Sequence, residues 1–509
     1  MRHRYRRTQR ILHFNGLLLQ TLGVVFLLPL VLVAGYWGRF GEGPVTAYAF
    51  AVPAAAAFLV GWMFRRVFTG GTPGTAGSMI ICGLGWVFAS AFGALPFVIA
   101  LKASYLSGYF EAMSGFTTTG ITVFSGLDEM PRSILFWRAL TQWVGGIGIL
   151  SFFLAITFKG GGAHHIYGAE SHKIASTRPV PGILHTVKIL WAIYGGFTLA
   201  GAVALALMKM HPFDAICHAL ASLSTGGFSP HDASMAYYAQ TGHPHFRLIE
   251  YTITLLMMLG GINFLIHYRV LTRDVKALWD NVEIRTWWRF VAGFVIVIMF
   301  DHMMKTGMLA TVFTHPGVIS LSDVETVFRR TSFQVTAILT TTGFSTQDIG
   351  SAFFPALSRQ LFLAMMVIGG CVGSTSGGFK VMRIVILERL MLRELFKLRA
   401  PAKASDALII DKRPVPDDEA HRTAALFFTW LLLILVGGGI TALFSNQGAL
   451  ESLSGMFSAL GNIGPCYISN ADLITLNPVV KITYIFGMLA GRLEILPVLL
   501  IFSRKAWRG

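Results

Sequence analysis

Ten apolar stretches of membrane-spanning length recur along this chain, beginning at Asn15, Thr46, Thr75, Ser133, Ile183, Phe246, Trp287, Arg359, Thr423 and Asn477. A helix needs about 20 mostly apolar residues to cross a hydrocarbon core roughly 30 Å thick. The pattern therefore points to an all-α integral membrane protein. Composition agrees: 54% of the 509 residues are hydrophobic and 13% are charged, against roughly 25% charged in soluble domains. Mean hydropathy is +0.62. The first stretch follows "MRHRYRRTQR", but no small-residue cleavage site comes after it and the apolar run continues past Val33. It reads as a retained helix rather than a signal peptide.

With the N-terminus placed inside, the segments 1–14, 65–74, 159–182, 268–289, 380–422 and 503–509 hold 28 of the 41 Lys and Arg. Such a bias marks cytoplasmic loops, so both termini are expected in the cytoplasm. The formal charge of +16 is then mainly a topology signal. Nucleic-acid binding would need basic residues interleaved with aromatics on a soluble face, and no such domain is legible. Cys82, Cys217, Cys371 and Cys466 are scattered without a C-x-x-C pair, so neither a disulfide nor zinc is expected. His164, His165 and His172 share one loop; lacking ligand spacing and acidic partners, they read as a polar cytoplasmic connection.

Four segments between spans are too short to cross: 107–119, 214–226, 326–342 and 451–463. Each ends in small or polar residues with glycine. The ends read Thr117-Thr118-Thr119-Gly120, Ser224-Thr225-Gly226-Gly227, Thr340-Thr341-Thr342-Gly343 and Gly461-Asn462-Ile463-Gly464. Some 25 to 33 residues beyond each last glycine come Gly145-Gly146, Gly260-Gly261, Gly369-Gly370 and Ala490-Gly491, small pairs that let helices approach closely in lipid. One unit of span, half-helix, glycine strand and span is thus written four times. The expected division is a two-span extension (1–70) and four units, 71–180, 181–285, 286–415 and 416–509.

Irregular backbone at membrane depth survives only where it is buried in protein or lines a water-filled cavity. Four half-helices, each followed by a Thr/Gly strand, would aim carbonyl oxygens at a common centre. Such a ring can replace the hydration shell of a monovalent cation. Glycine permits the backbone angles this requires, and the C-terminal ends of the half-helices present negative potential to the ion. The expected fold is four tandem span–pore-helix–span repeats in pseudo-fourfold arrangement around one pore. Asp214, Glu111 and Glu451 are expected to start half-helices on the outer side, where they complement the helix N-terminus.

The chain resembles the Trk/Ktr/HKT superfamily of potassium transporters, and most closely its bacterial TrkH/TrkG branch. The matching residues are "FEAMSGFTTTGIT" at 110–122, "QWVGGIGI" at 142–149, "LSTGGFSPHD" at 223–232, "TTTGFST" at 340–346, "GGCVGSTSGGFKVMR" at 369–383, "NIGP" at 462–465 and "GRLEIL" at 491–496. Each is weak alone; together they keep the family's order from about residue 75 onward. The resemblance implies that Gly120, Gly227, Gly343 and Gly464 are filter glycines, and that K⁺ is the transported ion. Its ligands would come from Thr118, Thr119, Gly120, Thr225, Gly226, Gly227, Thr341, Thr342, Gly343, Asn462, Ile463 and Gly464. In plant relatives serine in place of the first filter glycine goes with sodium transport, so Gly120 implies potassium. Cys466, where TrkH-like chains usually have glycine, is a departure at the outer mouth.

The stretch "GGCVGSTSGGFK", 369 to 380, interrupts a span. It is no phosphate-binding loop, since Phe379 stands where that motif needs lysine. The resemblance makes this segment, with Gly373, Ser374, Thr375, Ser376, Gly377, Gly378 and Lys380, an intramembrane gating loop beneath the filter. Arg492 is the second gate candidate, because an arginine within the membrane costs on the order of 3 kcal/mol on insertion scales and is usually functional. Placed below the filter it would repel cations and hydrogen-bond loop carbonyls. The alternative is a pair with a buried carboxylate from another helix; Glu494, two residues on, faces elsewhere. Lys380 closes the loop or snorkels to the cytoplasmic interface.

No nucleotide-binding motif is present, and the basic connections 268–289 and 383–413 offer a docking surface. The resemblance implies a TrkA-type cytosolic ring with nucleotide-binding domains, a homodimer of the membrane subunit surrounded by lipid, and the bacterial inner membrane as location. Two other classes share parts of this pattern. A sodium-coupled or other secondary transporter with broken helices would normally show two related halves. A membrane enzyme would need clustered His, Asp or Glu near one interface, and none is apparent.

Overall fold

The computed structural model describes residues 6–71, 73–148, 183–314, 320–399 and 407–508. The loop carrying His164, His165 and His172 lies outside them. The described chain is helical throughout, apart from one two-stranded antiparallel ribbon pairing Ile409–Ile410 with Arg413–Pro414. At the N-terminus the helix Arg6–Val25 packs along Pro44–Val67. Gly16 and Gly61 set that approach: a Cβ on Gly61 would lie 2.5 Å from the Gly16 carbonyl oxygen. Small residues bring membrane helices this close.

Four short helices follow, Tyr105–Phe116, Pro212–Leu223, Leu321–Leu339 and Ala449–Gly461. The starts of the first three are set by local caps. Ser104 accepts from the Ser107 amide, His211 from the Phe213 amide and Ser320 from the Asp323 amide, each satisfying a donor the helix leaves open. These helices are buried along most of their length, unlike the flanking spans, whose apolar faces look outward. Leu199, Leu207, Phe428 and Leu443 are among those exposed side chains.

Ten continuous spans do not form. Among the described residues, five helices are long and apolar enough to cross, Arg7–Gly35, Pro44–Val67, Ala76–Leu101, His185–Leu207 and Asp417–Phe444, and a sixth if a bent pair counts as one. Val282–Lys305 is as long as the second of these but carries Glu283, Arg285, Arg289, Asp301 and Lys305. The rest differ because in the second, third and fourth units the helix after the glycine strand breaks at or beside its small-residue pair, while in the first it changes character there. Arg132–Trp143 passes into a π-helical turn at Val144–Gly148. Phe246–Gly261 and Phe264–Leu271 meet at 106°. Ala356–Val367 runs into coil until Val381, and Pro478–Arg492 ends in Glu494 and Ile495, both at positive φ. Apolar composition continues across these breaks, which is why a hydropathy reading passes over two of the three.

Buried ion pairs act within and between units. Within the first, Arg138 Nε meets Glu111 Oε1 at 2.8 Å, and Arg329 pairs with Glu250 of the preceding unit. Glu111 was expected at a helix start. It lies inside Tyr105–Phe116, fully buried, where it also accepts from Thr122 Oγ1 and the Val123 amide. Its charge is consumed there, by Arg138, Thr122 and Val123.

Candidate functional site: a four-glycine ring over a buried loop

Each short helix ends in the same way. Thr118, Thr225, Thr341 and Asn462 adopt φ of 52°, 53°, 56° and 54°, the left-handed region that β-branched residues avoid. Two backbone bonds close each turn. The first runs from this residue to the carbonyl three back, as in Thr118 N to Gly115 O at 2.9 Å, and the second from the next residue to the carbonyl five back, as in Thr119 N to Ser114 O at 2.8 Å. The same pair recurs at 225–226, 341–342 and 462–463. This is the Schellman helix ending, built here with threonine or asparagine where glycine is usual. Strain of that kind persists only where the surroundings over-determine it.

Two residues later the chain again turns to positive φ, at Gly120 (82°), Gly227 (78°), Gly343 (82°) and Gly464 (104°). These four glycines close a ring. A Cβ on Gly120 would lie 2.3 Å from Gly226 O, one on Gly227 1.9 Å from Thr342 O, one on Gly343 1.9 Å from Ile463 O, and one on Gly464 3.1 Å from Thr119 O. First unit meets second, second meets third, third meets fourth and fourth meets first. The carbonyl before each glycine fills the space a side chain would take, so no other residue fits without moving a neighbour.

Hydroxyls stiffen the strands. Thr117 and Thr119 share a 2.8 Å bond, as do Thr340 and Thr342, and Asn462 Nδ2 donates to Thr119 Oγ1 at 2.9 Å. On one side of the ring opens a cavity of about 480 Å³ that reaches all four glycines and carries Asp232, Asp348 and Cys466 on its wall.

On the other side lies the coil of 368–380. Its Gly377 amide donates to Thr341 Oγ1 at 2.7 Å, directly against the third strand. Thr375 Oγ1 donates to Leu223 O at 2.8 Å and Gly260 O at 3.0 Å, and the Cys371 and Thr375 amides bond Gly261 O and Gly260 O. Arg492 Nη1 donates to Thr375 O at 2.7 Å, and Nη2 to Gly145 O at 2.8 Å and Gly146 O at 2.6 Å. One guanidinium thus joins the loop of the third unit to the glycine pair of the first. Lys380 Nζ bonds the Ser376 carbonyl within the loop rather than only snorkelling outward. Glu494 pairs with Arg383.

A model of the TrkH family, described as cation transport protein, matches residues 77–508. The chain belongs to the TrkH family. It is similar to the Trk system potassium uptake protein TrkH of Escherichia coli K12, at 32% identity over 479 residues, covering 92% of this chain and 93% of that protein. The TrkH protein of Vibrio parahaemolyticus is 32% identical over 507 residues, 98% of this chain and 99% of that protein. The crystal structure of the potassium transporter TrkH from Vibrio parahaemolyticus superposes with a TM-score of 0.82 at 30% identity, covering 98% of this chain and 100% of that one. The family is one of cation transporters rather than enzymes, and with its apolar helices the chain is a multi-pass membrane protein.

Within this TrkH-family chain the four strands meet through Gly120, Gly227, Gly343, Gly464 and the carbonyls before them, and Thr375 of the loop meets Arg492 beneath them. Two buried side chains that sequence reasoning passed over also touch the strands. Arg138 Nη1 donates to Ser229 O at 2.9 Å and its guanidinium lies 4.2 Å over the Phe228 ring. Gln142 bonds Gly226 and Phe228. Both stand on Arg132–Trp143, and Gln142 opens a motif quoted for its glycines.

At the cavity rim His231 bridges two carboxylates, Asp128 through Nδ1 and Asp214 through Nε2, the latter at 3.2 Å. Its ring stacks on Tyr237 at 3.6 Å, while the Asp232 amide bonds Asp128 and the His218 ring stands 6.4 Å away. Burial pulls the His231 pKa down, but the hydrogen bonds to Asp214 and Asp128 outweigh it and hold the imidazole above its ordinary value. A raised folded-state pKa stabilises fully below the unfolded value of about 6.5 and ceases to as pH rises through the folded value. Between pH 6 and 9 the wild-type melting temperature in detergent is expected to fall more than that of His231→Gln, by about 2 °C. Equal slopes would show that the bridge contributes nothing.

Proposed function

We propose that this chain carries potassium into the bacterial cell across the inner membrane, with both termini cytoplasmic. The observation that supports this best is the closed cyclic contact of Gly120, Gly227, Gly343 and Gly464 through the carbonyls that precede them. Thr118, Thr119, Gly120, Thr225, Gly226, Gly227, Thr341, Thr342, Gly343, Asn462, Ile463 and Gly464 supply the ligands. Main-chain oxygens from four strands replace the shell of a dehydrated K⁺, and four helix C-termini aimed at the ring add negative potential. The names borne by relatives covering nearly the whole chain favour the same ion. We read the chain as a two-span extension, 1–70, and the four units 71–180, 181–285, 286–415 and 416–509.

The loop of 369–380 acts as a gate. In the described arrangement it fills the space beneath the ring, and Arg492 holds it through Thr375 while presenting a positive charge to any ion on that path. Opening requires Thr375 to leave Leu223 O and Gly260 O. A TrkA-type cytosolic nucleotide-binding ring drives that movement from the basic connections 268–289 and 383–413, and the membrane subunit works as a homodimer.

Rubidium uptake into proteoliposomes tests the transport reading. Uptake should exceed that of sodium at least about tenfold, the ratio set by a difference of roughly 1.4 kcal/mol between the two ions in the ring. Equal uptake of both, or uptake no greater than in empty vesicles, contradicts it.

A further inference from the structure

The four carbonyls that face the ring belong to four peptide links, Thr119–Gly120, Gly226–Gly227, Thr342–Gly343 and Ile463–Gly464. Three of them have a side chain on one flank. Gly226–Gly227 has none on either, and a peptide between two glycines rotates with the least steric restraint. This link is also the one with a dedicated partner. Gln142, fully buried, donates from Nε2 to Gly226 O at 2.5 Å and accepts the Phe228 amide on Oε1 at 3.0 Å. Among the described residues, the carbonyl oxygens of Thr119, Thr342 and Ile463 accept no hydrogen bond.

The two features explain each other. A Cβ on residue 226 would lie 2.4 Å from Gln142 Cδ, so the amide fits only where glycine stands, and glycine leaves a link that needs the amide. One turn earlier on the same helix, Arg138 holds Ser229 O at 2.9 Å. The second strand is therefore held at three backbone atoms, on residues 226, 228 and 229, by a helix of the first unit. A carbonyl oxygen has two lone pairs, so Gly226 O can accept from Gln142 and still face an ion.

We propose that Gln142 is a positioning residue for ion selectivity: its amide fixes the orientation of the Gly226 carbonyl, and with it the width of the ring. The inference rests on the transport reading above. Selectivity between alkali ions depends on the number and placement of the oxygens around them, so a fourth oxygen free to turn away relaxes the preference for the larger ion.

Two variants test this in proteoliposomes, with rubidium and sodium permeability measured on each. Gln142→Met keeps the volume and removes both bonds; its rubidium-to-sodium ratio should fall about tenfold, the scale of one buried hydrogen bond to a backbone oxygen. A purely structural role would reduce both ions alike through lost protein. Gln142→Glu when protonated donates to Gly226 O and accepts from Phe228 N as glutamine does; when ionised it sets a carboxylate against the carbonyl. Its ratio should therefore fall as pH rises from 5 to 9, while the wild-type ratio stays level. A Gln142→Met protein with the wild-type ratio overturns the proposal. If that variant does not accumulate, a Gln142→Glu ratio that is constant across this pH range overturns it. A wild-type protein without preference for rubidium would instead overturn the transport reading itself.

Discussion

Replacing Arg492 with alanine is expected to raise rubidium flux at least about tenfold at matched protein level. Two effects add. The guanidinium makes three hydrogen bonds, one to the loop and two to the first unit, and bonds to a charged donor contribute about 1.5–3 kcal/mol each. Losing the one to Thr375 O weakens the closed arrangement directly. The charge itself also opposes a passing cation. At about 4 Å and an effective dielectric constant near 20 that repulsion is about 4 kcal/mol, and each 1.36 kcal/mol off a barrier is tenfold in rate. Water entering the path screens much of this, so tenfold is the lower figure. Arg492→Lys should fall between the two, keeping the charge but not the forked geometry that reaches Thr375, Gly145 and Gly146 together. Flux through Arg492→Ala equal to wild type would remove the arginine from the gate.

The second large effect is expected at Gly120. Serine there must adopt φ near 82°, which costs an L-residue roughly 1–2 kcal/mol. Its Cβ would also lie 2.3 Å from Gly226 O. That oxygen has little room to retreat, because Gln142 Nε2 stands 2.5 Å from it. The first and second strands must separate, and a wider or displaced ring no longer matches potassium. Sodium permeability relative to rubidium should rise about tenfold or more in Gly120→Ser, corresponding to at least about 1.4 kcal/mol between the ions. A permeability ratio identical to wild type would refute the placement of Gly120 in the filter.

Much of this was legible in the residues. The four glycine-ended strings, three of them with threonine, marked four buried helix endings, because irregular backbone at membrane depth must be buried in protein or line a cavity, and their last glycines meet in the structure. The five glycines of 369–378 likewise announced the coil beneath. Hydropathy alone misjudged continuity. Gly260-Gly261 and Ala490-Gly491 sit in apolar surroundings that read as unbroken spans, yet the helix turns just beyond each pair. The neighbouring backbone crowds both pairs: a Cβ on Gly260 would lie 2.8 Å from Leu223 O, and one on Gly491 1.9 Å from Leu460 O. Contacts between residues tens of positions apart leave no periodic trace.

The partners of charged and amide side chains were hidden for the same reason. Glu111 looked like a helix-start carboxylate, but its partner Arg138 lies 27 residues away. Gln142 meets Gly226 across 84 residues, and nothing in "QWVGGIGI" distinguishes a clamp from a polar residue on a helix face. Arg492 was recognisable because its charge is expensive in lipid; that it holds Thr375, Gly145 and Gly146 was not.

The most direct test is a structure determined with rubidium or thallium replacing potassium. The account predicts ion density on the axis between Thr119 O, Gly226 O, Thr342 O and Ile463 O, within direct coordinating distance of all four. Bound ions seated elsewhere in the protein, with that axis empty, would contradict it.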